Sequence, residues 1–144
     1  MKFLIPLKCH NMKILYTILL MIAFTVSVSA QAYLGKNKDQ ITKLIPKEMP
    51  GFAVNSFGKN PDVNSLKFYD SKNDRSLVFF FDEKNNCKYY KLIEDIEEYE
   101  TKVEELNKLF KATGNNKWTG SNNGITVNVS IEKSDYIMTV LYSL

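Results

Sequence analysis

Histidine and cysteine are almost absent from this sequence. The chain holds one His and two Cys, and His10 and Cys9 both fall within the first thirty residues, a stretch that also lacks Asp and Glu. Without that stretch no imidazole remains, so a serine–histidine or cysteine–histidine pair has no base. Most zinc and copper sites lose their commonest ligand for the same reason. Cys87 then stands alone, which excludes an intramolecular disulfide. Glycine and proline are sparse as well, at six and four. That argues against collagen-like and low-complexity chains, and no Gly-rich phosphate loop follows any strand. A long hydrophobic run is missing too: residues 14–26 are apolar for thirteen positions, short of the ~20 needed to span a bilayer. Finally, charge of one sign is missing. The 19 basic residues fall to 16 once Lys2, Lys8 and Lys13 are set aside, against 16 acidic ones. A balanced remainder offers no clustered cations for a phosphate backbone, so nucleic acid is excluded as a partner.

What is present begins with an address. From Met12 the residues read MKILYTILLMIAFTVSVSAQA, a Lys, an apolar run and then small residues ahead of Ala30, which is the pattern of a secretory signal peptide. Residues 1–30 are expected to be removed, with cleavage after Ala30 or after Ala32. Translation starting at Met12 rather than Met1 gives the same leader. Cys9 precedes the apolar run and follows no small residues, so it does not read as a lipid attachment site. The product is expected to be periplasmic or extracellular, without stable membrane insertion.

Residues 31–144 read as one domain with no internal repeat. Asn37 followed by Gln40 starts a short helix carrying Ile41, Leu44 and Ile45, which Pro46 limits. A short strand is expected at 52–57 and another at 65–70, with a turn at 71–74. Residues 77–81 and 87–93 then form a hairpin with 82 opposite 87. One face collects Leu77, Phe79, Phe81, Tyr90 and Leu92, and the other Val78, Phe80, Cys87, Tyr89 and Lys91. Ile96, Tyr99, Val103, Leu106 and Phe110 recur at helical spacing and predict a long amphipathic helix over 94–112, closed by Gly114. An Asn- and Gly-rich connection passes Trp118. Ile125, Val127, Val129 and Ile131 alternate with polar residues, and 136–142 returns as their hairpin partner with 131 opposite 136. The expected class is α+β: an antiparallel sheet of about five strands with one short and one long helix, in the order α-β-β-β-α-β-β.

That order resembles the fold of the bacterial type III secretion chaperones, which share a helix, a three-stranded meander, a helix and a hairpin. No motif accompanies the likeness, so chaperone activity is not carried over. The stretches AYLGKNKDQI, FFDEKNNCKYY and KWTGSNNGITVNV resemble small exported bacterial proteins of unknown function. The resemblance implies export and this fold, and no activity.

Candidate chemistry is thin. Cys87, at the start of a strand with no second Cys or His nearby, reads as a small packed side chain. The carboxylates over 94–105 read as a solvated helix face beside Lys partners. Asp70, Asn73 and Asp74 echo a calcium loop, but Lys72 takes a ligand position and no Gly follows at the sixth place, so they read as a turn. No cofactor is implied. The leading expectation is a non-enzymatic binding module using the second hairpin face, Val78, Phe80, Tyr89 and Lys91, against a protein partner or a second copy of the chain. The alternatives are an inhibitor or chaperone-like adaptor of an exported protein, and a small hydrolase working without histidine.

Overall fold

The structure, a computed structural model, describes residues 33–56, 63–122 and 124–144. The leader at 1–30, with His10 and Cys9, lies outside the described residues, as does Phe57.

Helix α1 (Lys38–Glu48) begins where the sequence places it. Asn37 caps it by accepting from the Gln40 N–H, and the Gln40 side chain accepts from the Asn37 N–H, a reciprocal capping box. Pro46 removes one helical donor, yet the helix runs two residues beyond it to Glu48 and closes through the Met49 N–H and the Ile45 carbonyl. Ile41 and Ile45 are fully buried. Four antiparallel strands follow: β1 (Ala53–Val54), β2 (Ser65–Asp70), β3 (Arg75–Phe81) and β4 (Cys87–Asp95). A single 3-10 turn (Ile96–Glu98) leads into α2 (Tyr99–Leu109), and four more antiparallel strands complete the chain: β5 (Lys111–Gly114), β6 (Lys117–Asn122), β7 (Ile125–Lys133) and β8 (Ile137–Ser143).

All eight strands lie in one sheet, in the order β1-β2-β3-β4-β8-β7-β6-β5. The expected α+β class, with about five strands in the order α-β-β-β-α-β-β, is therefore corrected: the fold is mostly sheet, eight antiparallel strands with two helices, each helix followed by four strands. Three local reasons account for the difference. Glu94 and Asp95 continue β4 instead of opening a helix, because they pair with Met138 and Ile137 of β8. Phe110 leaves α2 in an extended conformation (φ −132°, ψ 159°), which starts β5 at the next residue. The Asn-rich connection turns at Asn116 (φ 54°) and sends β6 back along β5. Gly, Asn and Lys are poor strand formers, but position in a sheet overrides that preference when a neighbour such as β7 is ready to pair.

The register of the last hairpin also differs. Ile131 faces Val140 rather than Tyr136, since β7 runs on to Lys133. A slip of four preserves the faces of a period-two strand, so Val127, Val129, Ile131, Met138, Val140 and Tyr142 are buried as a set, while Tyr136 is left 80% exposed.

The strand order is palindromic about the β4–β8 junction, as an approximate two-fold axis there would generate. Each half is an 11-residue helix followed by a four-stranded meander. In each, the helix ends with the cap residue's N–H on the carbonyl of a buried aliphatic, Met49 on Ile45 and Phe110 on Leu106, both at 2.8 Å. The sequence shows no repeat because the repetition lies in pairing and burial rather than in residue identity. Ile41, Ile45 and Leu106 join one cluster with Phe68, Phe79, Tyr90, Val129 and Val140, so both helices cover the same face of the sheet.

Candidate functional site

Strand alternation sets the two faces of the sheet apart. The inner face is the core. On the outer face lie the residues singled out from the sequence, and the register brings all four together: Val78 opposite Lys91, and Phe80 opposite Tyr89. The Phe80 and Tyr89 rings stack with centroids 4.5 Å apart and planes at 15°, the offset geometry that adds to simple burial for cross-strand aromatics. All four are half-buried, and neither Val78, Phe80 nor Tyr89 belongs to the core cluster or packs against it. Cys87 departs from the expectation. A register shift between Phe80 and Phe81 sets it opposite Phe81, on the inner side, where burial pushes its thiol up to about 12. A thiol so protonated and enclosed is a packing group, not a nucleophile.

The outer face extends further than the sequence indicated. Ile93 and Leu141 continue the apolar patch onto β8, since Lys91 pairs with Leu141 and Ile93 with Thr139. Lys67 flanks Val78 from β2, and Lys117 reaches the same row through Ser130. Leu141 was legible as the odd apolar position between inward Val140 and Tyr142. Lys117 was not, because the β6 residues KWTGSN show no apolar alternation.

A second polar cluster lies on the inner side. The chain's only arginine, Arg75, reaches Asp70 with Nη2 at 2.7 Å and Nε at 3.3 Å, and its Nη1 stands 3.6 Å from Glu94 Oε1. Lys102 Nζ lies 3.5 Å from Glu94 Oε2 and 2.8 Å from Glu105. Glu94 is only 4% exposed, so the solvated-helix reading is corrected for this carboxylate. Its Oε2 has the Lys102 charge nearby but no hydrogen bond. The alternation Tyr90, Leu92, Glu94 along β4 was the signal that aims it inward. The turn reading of Asp70 holds. Asp70 accepts from the Lys72 and Asn73 N–H groups and from Asn73 Nδ2 as well as from Arg75. Gly51 lies over it, where a Cβ would come within 3.2 Å of Oδ2, and the Phe52 ring underlies the Arg75 guanidinium at 5.2 Å. Asp70 is thus enclosed by its own turn, by Gly51 and by the Arg75 guanidinium.

Two shallow hollows meet at Arg75. One, of about 300 Å³, is lined by Asn73, Arg75, Glu94, Asp95 and Glu98. The other, of about 440 Å³, runs from Met49 and Phe52 to Asp70 and Lys72. Polar groups converge here, as a hydrolase would need, but they are spent on one another. The Asn73 side-chain amide, then Arg75, holds the Asp70 carboxyl at about 2, below its ordinary 3.8, which disqualifies it as a base near neutrality. The arrangement ties the β2–β3 turn to β4 and α2. Among the described residues no group of three or more His, Cys, Asp or Glu side chains is placed to hold a metal ion.

Because the folded-state value lies below the unfolded one, Asp70 contributes stability that is fully present above about pH 4 and is lost as the pH falls from 3.8 toward 2. Melting temperatures measured from pH 5 to pH 2 should fall more steeply for the native chain than for Asp70→Asn. Parallel slopes would remove Asp70 from the acid response.

No protein-family model, curated protein or solved structure matches the chain, and no helix among the described residues is long and apolar enough to cross a membrane.

Proposed function

We propose that the chain is an exported, non-enzymatic binding module whose outer sheet face, centred on Phe80 and Tyr89 with Val78 and Lys91, docks a protein partner. The observation that carries this reading is the Phe80–Tyr89 stack on the face opposite both helices. Val78, Phe80, Tyr89, Ile93 and Leu141 lie side by side there, outside the core, each keeping part of its surface in contact with water. Tyr and Phe are enriched where interfaces close, and a contiguous apolar patch rimmed by charge is a common mark of one. The leader pattern before Ala30 supports export.

Replacing Phe80 and Tyr89 together with Ser tests the reading. Size-exclusion chromatography and thermal melting should show a folded monomer, with a loss of stability well below the ~3–5 kcal/mol of one buried aromatic truncation. Stoichiometric association with the partner captured by the native chain from its envelope fraction should disappear. A collapsed melt would mean that the rings belong to the protein's own core, and unchanged association would place the docking elsewhere.

A further inference from the structure

The charges on the outer face are not those of the molecule as a whole. Alternation along the paired strands assigns Lys67, Lys91, Lys111 and Lys117 to this face, against only Glu132 and Asp95 among the described residues. The helix side carries the opposite bias near α2, with Glu97, Glu98, Glu100, Glu104 and Glu105. A chain that is nearly neutral once its leader is set aside thus presents a cationic sheet face. Lys67, Val78, Lys91, Leu141, Ser130 and Lys117 form one continuous row across six strands through their pairings.

We propose that the occupant of this face is an acidic protein segment, an apolar stripe flanked by carboxylates. The inference rests on the docking reading above and adds the chemistry of the partner. Strands are spaced ~4.8 Å apart, which sets Lys67 and Lys91 ~10 Å apart and Lys91 and Lys117 ~14 Å apart. Carboxylates along the two sides of an amphipathic helix laid across the strands meet these cations. Its apolar stripe covers Val78, Phe80, Tyr89 and Leu141, along which the lysine stems can lie while their ammonium groups stay wet. The spacing is far wider than the ~3.4 Å between charges along one nucleic-acid strand, so three such lysines do not track a phosphate backbone. A second copy of the chain brings like charge to like charge. So does the leader, with three Lys and neither Asp nor Glu in residues 1–30.

Fluorescence anisotropy with defined probes tests this. The first probe is a labelled peptide of ~18 residues, long enough at 1.5 Å per residue to span the ~24 Å from Lys67 to Lys117, with Leu on one face and Glu on its flanks. The others are the same peptide with Lys for Glu, a single-stranded oligothymidine, and phosphatidylglycerol vesicles. The Glu peptide should bind saturably, more weakly as salt rises. Its affinity should drop about tenfold in the Lys67→Glu, Lys91→Glu, Lys117→Glu triple variant, which should instead gain binding to the Lys peptide. If the triple variant fails to fold, Lys91→Gln with a salt series reads the same dependence. The proposal is overturned if the Glu peptide does not saturate, if both peptides bind alike, or if the oligonucleotide or the vesicles bind more tightly. Should association with the captured partner vanish in the Phe80, Tyr89 double variant but survive charge reversal, the face docks a partner that is not acidic. In that outcome the docking reading stands and this inference falls.

Discussion

Phe79→Ala should leave a large fraction of the protein unfolded, with a loss of ~3–5 kcal/mol against a typical domain stability of ~5–15. Phe79 is 0% exposed and sits at the centre of an aromatic cluster. Phe68 meets it edge-on at 5.9 Å and Tyr33 at 5.6 Å, and Tyr90 stacks on it at 5.2 Å. Truncation would strand three rings around a void that rigid aromatics and paired strands cannot close, so the cavity cost adds to the lost burial. Phe80→Ala is the matched control, one residue along the same strand and on the opposite face. Urea midpoints for the two variants should differ clearly, Phe79→Ala having the lower. Equal midpoints would mean that the sheet's two faces have been assigned wrongly.

Leu106→Ala should cost ~2–5 kcal/mol. Leu106 is the only fully buried residue of α2. Around it the helix is held by half-buried Tyr99 and Val103, by the Trp118 Nε1–H donated to Asn107 at 2.8 Å, and by the Lys102–Glu94 contact. With so few anchors, losing this side chain should loosen the helix from the second meander. Glu100→Ala, at an exposed position of the same helix, should cost little. Hydrogen exchange of α2 amides would register the difference directly: in Leu106→Ala they should exchange ahead of those in β3 and β4. Retention of native protection would show that the helix is held by something other than Leu106.

These two sites also mark how far the sequence could be read. The β3–β4 hairpin was legible because two runs rich in apolar and aromatic residues flank a short polar turn, and the pairings of Phe79 with Tyr90 and Phe80 with Tyr89 are as expected. The long helix was legible as a period but not in its ends. Charged residues such as Glu94 pattern equally well as a helix start or as a strand end, and only the presence of β8 alongside decides between them. Strands β5 and β6 gave no apolar alternation, and Lys111–Gly114 is exposed throughout. Their pairing is a tertiary outcome, anchored by Trp118 and Val129. The candidate face was half legible: Phe80, Tyr89, Val78 and Lys91 could be read from one hairpin. Lys67, Lys117 and Leu141 needed the full strand order to join them.

The palindromic strand order bears on how the chain finds its fold. Among the described residues, ladder pairing between residues 33–95 and residues 96–144 is confined to β4 with β8. Every other ladder closes between neighbours in sequence, so most loop-closure entropy is spent locally and cheaply. The chain can therefore assemble as two units, each a helix with its meander, and the remaining barrier is concentrated in zipping one seam. That seam offers nearly the same edge to the matching half of another molecule. At high concentration an exchanged dimer, with β4 of one chain beside β8 of the next, becomes the natural competitor of the monomer.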